Sequence, residues 1–293
     1  MPFHQLVIEL PGRDLERAED ACRQLGAIAL SLADAGDEPL LEPAPGETPL
    51  WRDVRLRALF GPAADPALIA ASLAVVLGIA PESVAAEYVE DRVWEREWLR
   101  DFRPMPFGRR LWVCPAGQQA GDPDAVVLEL DPGLAFGTGT HPTTALCLEW
   151  LDGAIHGGER VLDYGCGSGI LALAALRLGA GHATAFDIDP QALQATRENA
   201  ARIGLADRIE IPGRASDLEG SFDVVLANIL SGPLVALAPD LASRAGPDSA
   251  LVLAGLLSGQ AHEVAQAYQP WFDIGPVAER DGWTLLAGRR RVE

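Results

Sequence analysis

From Phe3 to Leu10 the chain is apolar and extended until Pro11-Gly12 stops it, so it opens on a strand. Leu15, Ala18, Cys22 and Leu25 then recur at helical spacing, with Asp14 placed to cap, and predict a helix to about Leu25. A strand is expected over 27–32. Residues 34–49 are rich in Pro, Gly, Asp and Glu and read as a loop with room for a short edge strand. The alternation Val54, Arg55, Leu56, Arg57, Ala58 marks a half-buried strand ending at Phe60. Asp65-Pro66 opens a second helix through about Leu77, Asp as cap and Pro at the first position. Residues 83–89 supply the last strand. The order βαββαβ is the split βαβ, ferredoxin-like motif. It holds no cluster of catalytic residues, so residues 1–90 are expected to serve recognition or packing.

Residues 91–102 predict a connecting helix with Trp94, Trp98, Leu99 and Phe102 on one stripe, and Glu95, Arg96 and Arg100 on the other sides. The two tryptophans read as core anchors. Arg103-Pro104-Met105-Pro106 ends this linker, 91–106, and a second domain is expected over 107–293. There strands alternate with helices in the βαβ manner of a parallel sheet covered on both faces. Strands are expected at 160–164, 183–187, 208–211, 223–227, 250–254 and 272–277. A final strand at 283–287 should pair antiparallel through the tight turn Asp281-Gly282. Helices are expected near 142–152, 169–178, 190–203, 231–244 and 258–269. The fold class is therefore α/β: a Rossmann-like domain, its sheet mostly parallel with an antiparallel last strand, preceded by a small ferredoxin-like α+β domain.

Composition narrows the setting. With 293 residues, 48% hydrophobic and 22% charged, the chain is an ordinary folded protein of one large or two smaller domains. No apolar run reaches 18 residues and the N-terminus lacks a basic flank, so neither a membrane span nor a secretory signal is expected. Cys22, Cys114, Cys147 and Cys166 are scattered without a CxxC pair, which points to a reducing, cytoplasmic setting and to no thiolate metal site. The net charge of −19 disfavours direct nucleic-acid binding. The same charge would draw in a basic protein, or it serves solubility alone; both readings stand.

The chemistry concentrates in four segments. Residues 161–171, Val-Leu-Asp163-Tyr-Gly165-Cys-Gly167-Ser-Gly169-Ile-Leu, run from an apolar strand through a glycine turn into a helix. Glycines there let backbone approach a ligand, and the helix start offers N–H donors. A dinucleotide site would read G-x-G-x-x-G; here the spacing is G-x-G-x-G, preceded by Asp163, which a pyrophosphate would oppose. A ligand carrying an ammonium and a sulfonium, S-adenosylmethionine (AdoMet), would welcome that carboxylate. Asp187 ends the next strand about twenty residues on, where a carboxylate accepts from ribose hydroxyls, while Asp189-Pro190 caps the following helix. Asn228, in Asp223-Val-Val-Leu-Ala-Asn228-Ile-Leu-Ser-Gly-Pro, stands at the carboxyl end of a central strand, facing the crevice where α/β sheets bind ligands. Residues 131–144, Asp-Pro-Gly-Leu-Ala-Phe-Gly-Thr-Gly-Thr-His141-Pro142-Thr143-Thr144, read as a glycine-rich lid leading into a helix whose first turn carries both threonines. No P-loop lysine follows it. His141 could act as a base or metal ligand, but without partners a capping role fits it better.

Together these segments resemble the class I AdoMet-dependent methyltransferases, and more closely the bacterial ribosomal-protein-L-eleven methyltransferases, the PrmA family. DPGLAFGTGTHPTT (131–144), VLDYGCGSGILA (161–172), DIDPQAL (187–193) and ANILSGPL (227–234) carry the resemblance, which spans essentially the whole chain. It implies that Thr144, Gly165, Asp187 and Asn228 contact AdoMet, with Asp163 and Gly167 part of the same turn by motif. Asn228 is also the candidate catalytic residue. Related amine methyltransferases often show Asn-Pro-Pro-Tyr where this chain has Asn228-Ile-Leu-Ser, so the aromatic residue is missing and the amine must be held differently. The implied reaction methylates lysine ε-amines and the N-terminal α-amine of ribosomal protein L eleven. A monomer is expected. The competing readings are a methyltransferase of another substrate, a nicotinamide oxidoreductase, and a non-enzymatic factor that binds the ribosomal protein.

Overall fold

The computed structural model describes residues 3–11, 15–36, 50–89, 103–130 and 140–291. The cap at Asp14, the connecting helix at 91–102 and the lid at 131–139 lie outside the described residues. The chain divides into two compact units, Met1–Glu97 and Trp98–Glu293.

In the first unit β1 (Phe3–Pro11), α1 (Leu15–Gln24), β2 (Ala29–Asp34), β3 (Asp53–Phe60), α2 (Pro66–Leu77) and β4 (Val84–Val89) form an antiparallel sheet of order β2-β3-β1-β4 under two helices. That is the ferredoxin-like arrangement. Period-two alternation in β1 and β3 turns Leu6, Ile8, Leu56 and Ala58 onto Ala18, Cys22 and Leu73 of the helices. Asp65 caps α2 as its sequence suggests, accepting from the N–H groups of Ala67 and Leu68 at 3.0 and 3.2 Å.

The second unit begins with a feature that the sequence pattern did not reveal. β5 (Met105–Phe107), β6 (Leu111–Cys114) and β7 (Val126–Glu129) make a small separate sheet, β5 antiparallel and β7 parallel to β6. Strands of three or four residues are too short to show alternation. β5 runs through the position where the linker was expected to end.

Helix α3 (Pro142–Ala154) follows. Then come β8 (Arg160–Tyr164), α4 (Ile170–Leu178), β9 (His182–Phe186), α5 (Pro190–Arg202), β10 (Ile209–Glu210) and β11 (Phe222–Asn228). The chain closes with α6 (Ser231–Ala236), α7 (Ala238–Arg244), β12 (Ala245–Leu257), α8 (Ala261–Tyr268), β13 (Phe272–Arg280) and β14 (Trp283–Arg290). The expected single helix at 231–244 is broken at Leu237, because Pro239 has no N–H to give to the carbonyl four residues back.

The seven-stranded sheet has the order β10-β9-β8-β11-β12-β14-β13. β8, β9, β10, β11 and β12 are parallel, and β14 runs antiparallel to both its neighbours. Its turn uses Asp281 and Gly282, both at positive φ, as a tight hairpin requires. Alternate residues face opposite layers. Val161, Leu226 and Val252 pack toward α3 and α4, while Leu162, Val225 and Leu251 pack toward α6–α8. Leaving β8, the chain builds β9 and β10 to one side; it then crosses to build β11 on the other. That reversal opens a crevice at the carboxyl ends of β8 and β11.

Candidate active site

The glycine turn sits at this reversal, and its shape is held from several directions. Gly165, Gly167 and Gly169 all take positive φ. The N–H groups of Gly165 and Cys166 both donate to the Phe186 carbonyl, at 2.7 and 3.0 Å, stitching the turn to the end of β9. Asp187 then accepts from the Gly167 N–H at 3.0 Å with one oxygen and from the Asp189 N–H at 2.9 Å with the other. From α5, the Thr196 hydroxyl donates to the Gly167 carbonyl at 3.0 Å and the Asn199 amide donates to the Ser168 carbonyl at 2.9 Å. A Cβ at Gly165 would run into the Ile229 side chain. Thr196, Asn199 and Ile229 were not singled out in the sequence. Two buried polar residues three apart on the apolar face of α5 were the available signal. Asp189 caps α5 by accepting from the Gln191 N–H at 2.8 Å.

Asp163 lies beneath the turn, fully buried. One oxygen accepts from the Ala172 N–H at 3.1 Å, and the other has no partner among the described residues. Burial pushes this carboxyl up to about 7; the Ala172 N–H works against that rise and the charge of Asp187 adds to it. An unsatisfied carboxylate oxygen at this depth favours either a proton or a cationic ligand close by.

Asn228 ends β11 beside Ala254 of β12. Its Nδ2 donates to Oγ1 of Thr144 at 3.3 Å, joining the strand end to the first turn of α3. Ile229 is confined between two glycines of positive φ, because a Cβ at Gly255 would strike its backbone as one at Gly165 would strike its side chain. The close approach of three strand ends thus fixes where Asn228 points.

His141 is the N-cap of α3. Its Nδ1 accepts from the Thr143 N–H at 3.4 Å and lies 2.8 Å from the Thr143 hydroxyl. Where Nδ1 accepts in this way, the neutral ring carries its proton on Nε2. Its ring meets Trp283 edge-on, with centroids 5.0 Å apart at 69°. The structure therefore gathers Asp163, Gly165, Gly167 and Asp187 in one cradle and Thr144 with Asn228 at its rim.

Comparison with known proteins gives this arrangement a family. Residues 2–291 match the family model described as ribosomal protein L11 methyltransferase (PrmA). The ribosomal protein L11 methyltransferase of Pseudomonas paraeruginosa (strain DSM 24068 / PA7) is 50% identical over 294 residues, covering 100% of each chain. That of Pseudomonas putida (strain GB-1) is 49% identical, covering 99% of this chain and 100% of its own. The crystal structure of ribosomal protein L11 methylase from Lactobacillus delbrueckii subsp. bulgaricus superposes with a TM-score of 0.60 and 34% identity, over 65% of this chain and 100% of that one. The chain belongs to the ribosomal protein L11 methyltransferase (PrmA) family.

Proposed function

We propose that this protein transfers methyl groups from AdoMet to amino groups of ribosomal protein L11, both lysine ε-amines and the N-terminal α-amine. The observation that carries the reading is the convergence of the glycine cradle, Asp187 and the Asn228–Thr144 pair at the reversal of the sheet. The cradle fits AdoMet. Gly165, Gly167 and Gly169 hold the positive φ that a tight backbone turn at a helix start requires, and the Asp163 carboxyl buried beneath that turn favours positive charge nearby. Bound AdoMet supplies a methyl group on a sulfonium, already a good leaving group.

Gly165 and Gly167 would hold the amino-acid end, with Asp163 acting on its charge from beneath the turn rather than by contact, and Asp187 the ribose, while Thr144 supports Asn228 at the reacting end. Because Nδ2 of Asn228 is engaged by Thr144, its Oδ1 is the atom that accepts an N–H of the incoming amine. That bond aims the nitrogen lone pair, and near-attack geometry is the main help an in-line displacement needs. A lysine has a pKa of about 10.4, so the amine must lose its proton before it attacks. The ferredoxin-like domain, residues 1–90, carries no catalytic cluster among its described residues and is the candidate grip on the protein substrate. A net charge of −19 supports a basic protein partner over nucleic acid. No described helix is long and apolar enough to cross a membrane. A monomer working in the cytoplasm remains our working expectation.

Intact-mass spectrometry of ribosomal protein L11 after incubation with the enzyme and AdoMet tests the reading. Stepwise methyl gains mapped to amines are expected. AdoMet binding without any gain would return the substrate to open status.

A further inference from the structure

Across the carboxyl edge of the large sheet, the order β8-β11-β12-β14 puts the glycine turn on one side of Asn228 and Trp283 on the other. Trp283 is the first residue of β14 and lies opposite Leu257, the last of β12, so it stands at the same edge as Asn228. The hairpin that carries it is tied down on both flanks. Ser258 donates to the Gly282 carbonyl through its N–H at 2.9 Å and its hydroxyl at 3.1 Å, and the Thr284 hydroxyl donates to Ser258 Oγ at 3.0 Å. Arg280 meets both carboxylate oxygens of Glu149 on α3, at 2.9 and 3.1 Å. At the start of that same helix, one turn before Thr144, His141 packs edge-on against the Trp283 ring.

The strand-end segment Asn228-Ile229-Leu230-Ser231 carries no aromatic residue to hold an amine. The fold supplies one from a different strand. We infer that Trp283, braced by His141, is the acceptor-binding residue of this enzyme, its ring taking the alkyl stem next to the reacting amine and directing the nitrogen toward Asn228. This rests on the proposed amine methylation. An aromatic face suits a carbon stem that ends in an amine, and it attracts the ammonium that arrives and the methylammonium that leaves. It makes no directional hydrogen bond to the rest of the residue, so it can accept a lysine ε-amine and an α-amine alike. Each added methyl makes the amine more apolar and improves its fit to the ring.

The test compares wild type with Trp283→Ala and Trp283→Phe, using full-length enzyme and ribosomal protein L11, with AdoMet affinity by calorimetry and Tm as separate readouts. For Trp283→Ala we expect KM for the protein to rise by about tenfold, with AdoMet Kd and Tm near wild type and the most highly methylated species depleted. Trp283→Phe should recover most of the loss. An unchanged KM in Trp283→Ala overturns the inference. So does a parallel loss of AdoMet affinity and Tm, or a Phe variant no better than Ala, since either marks a packing role. A wild-type enzyme that leaves the ribosomal protein unmethylated overturns the functional reading itself and this inference with it.

Discussion

Asp163 shows how much one side chain can demand of its surroundings. Its native carboxyl holds a proton to about pH 7, while in the unfolded chain it ionises near its ordinary value of 3.8. Between those values the native state binds the extra proton, so stability falls as pH rises, by at most about 4 kcal/mol at roughly 1.36 kcal/mol per unit. Above pH 7 both states are ionised and the cost is constant. Asp163→Asn should therefore flatten the decline of Tm between about pH 4 and 7 measured without AdoMet; a variant that keeps the wild-type slope would show that the titrating group lies elsewhere. Asn228 makes a different prediction. If Asn228 orients the amine as proposed, its replacement by Ala removes that oxygen and the link to Thr144 without opening the core, so kcat should drop roughly 100-fold with little change in Tm. Equal turnover in that variant would remove Asn228 from the mechanism. The motif positions of both residues were legible in the sequence. That Asp163 sits fully buried, bonded by one oxygen only, was not, because burial depends on which helix covers the strand.

At the scale of elements, α3 is the part on which the site leans. Its first turn carries Thr144, its cap is His141, and its last turn carries Asp152, 5% exposed. The Asp152 carboxylate accepts from the N–H groups of Arg109 at 2.6 Å, Leu111 at 3.1 Å and Arg110 at 3.2 Å, gathering the turn between β5 and β6. Gly108 at the corner has no room for a Cβ against the same carboxylate. Asp152→Ala leaves the buried Leu111 amide without its acceptor and frees those of Arg109 and Arg110 to water, and should cost about 2 kcal/mol, seen as a Tm lower by several degrees with AdoMet affinity retained. A Tm within error of wild type would mean the turn holds itself. This clamp joins residues some forty positions apart, so no local pattern announces it. By contrast the start of α2 was legible, since Asp65 and Pro66 fix it through their own backbone and side-chain chemistry, and the structure adds Gly78 in the left-handed region as its C-cap.

For the whole molecule, the net charge of −19 acts at a distance that no single contact spans. If the substrate is a basic protein, salt should slow the encounter: kcat/KM for ribosomal protein L11 should fall roughly tenfold between about 0.05 and 0.5 M salt. AdoMet Kd should respond far less, because a small cofactor held by short-range contacts is little affected by screening. A salt-independent kcat/KM would leave the charge to solubility alone.

The sequence by itself determined the two-part architecture, the order of the long strands and helices, the glycine turn and the three polar positions that end strands or open a helix. Periodicity and glycine spacing are local, and they survive without knowledge of neighbours. The tertiary structure alone decided which distant groups meet. It placed Ile229 between Gly165 and Gly255, set Thr196 and Asn199 behind the turn and joined Asn228 to Thr144 across 84 positions. It also brought Trp283 from near the end of the chain to His141 at the edge of the crevice. Those pairings follow from sheet order and strand register, which are set by the packing of both faces at once rather than by any stretch of residues.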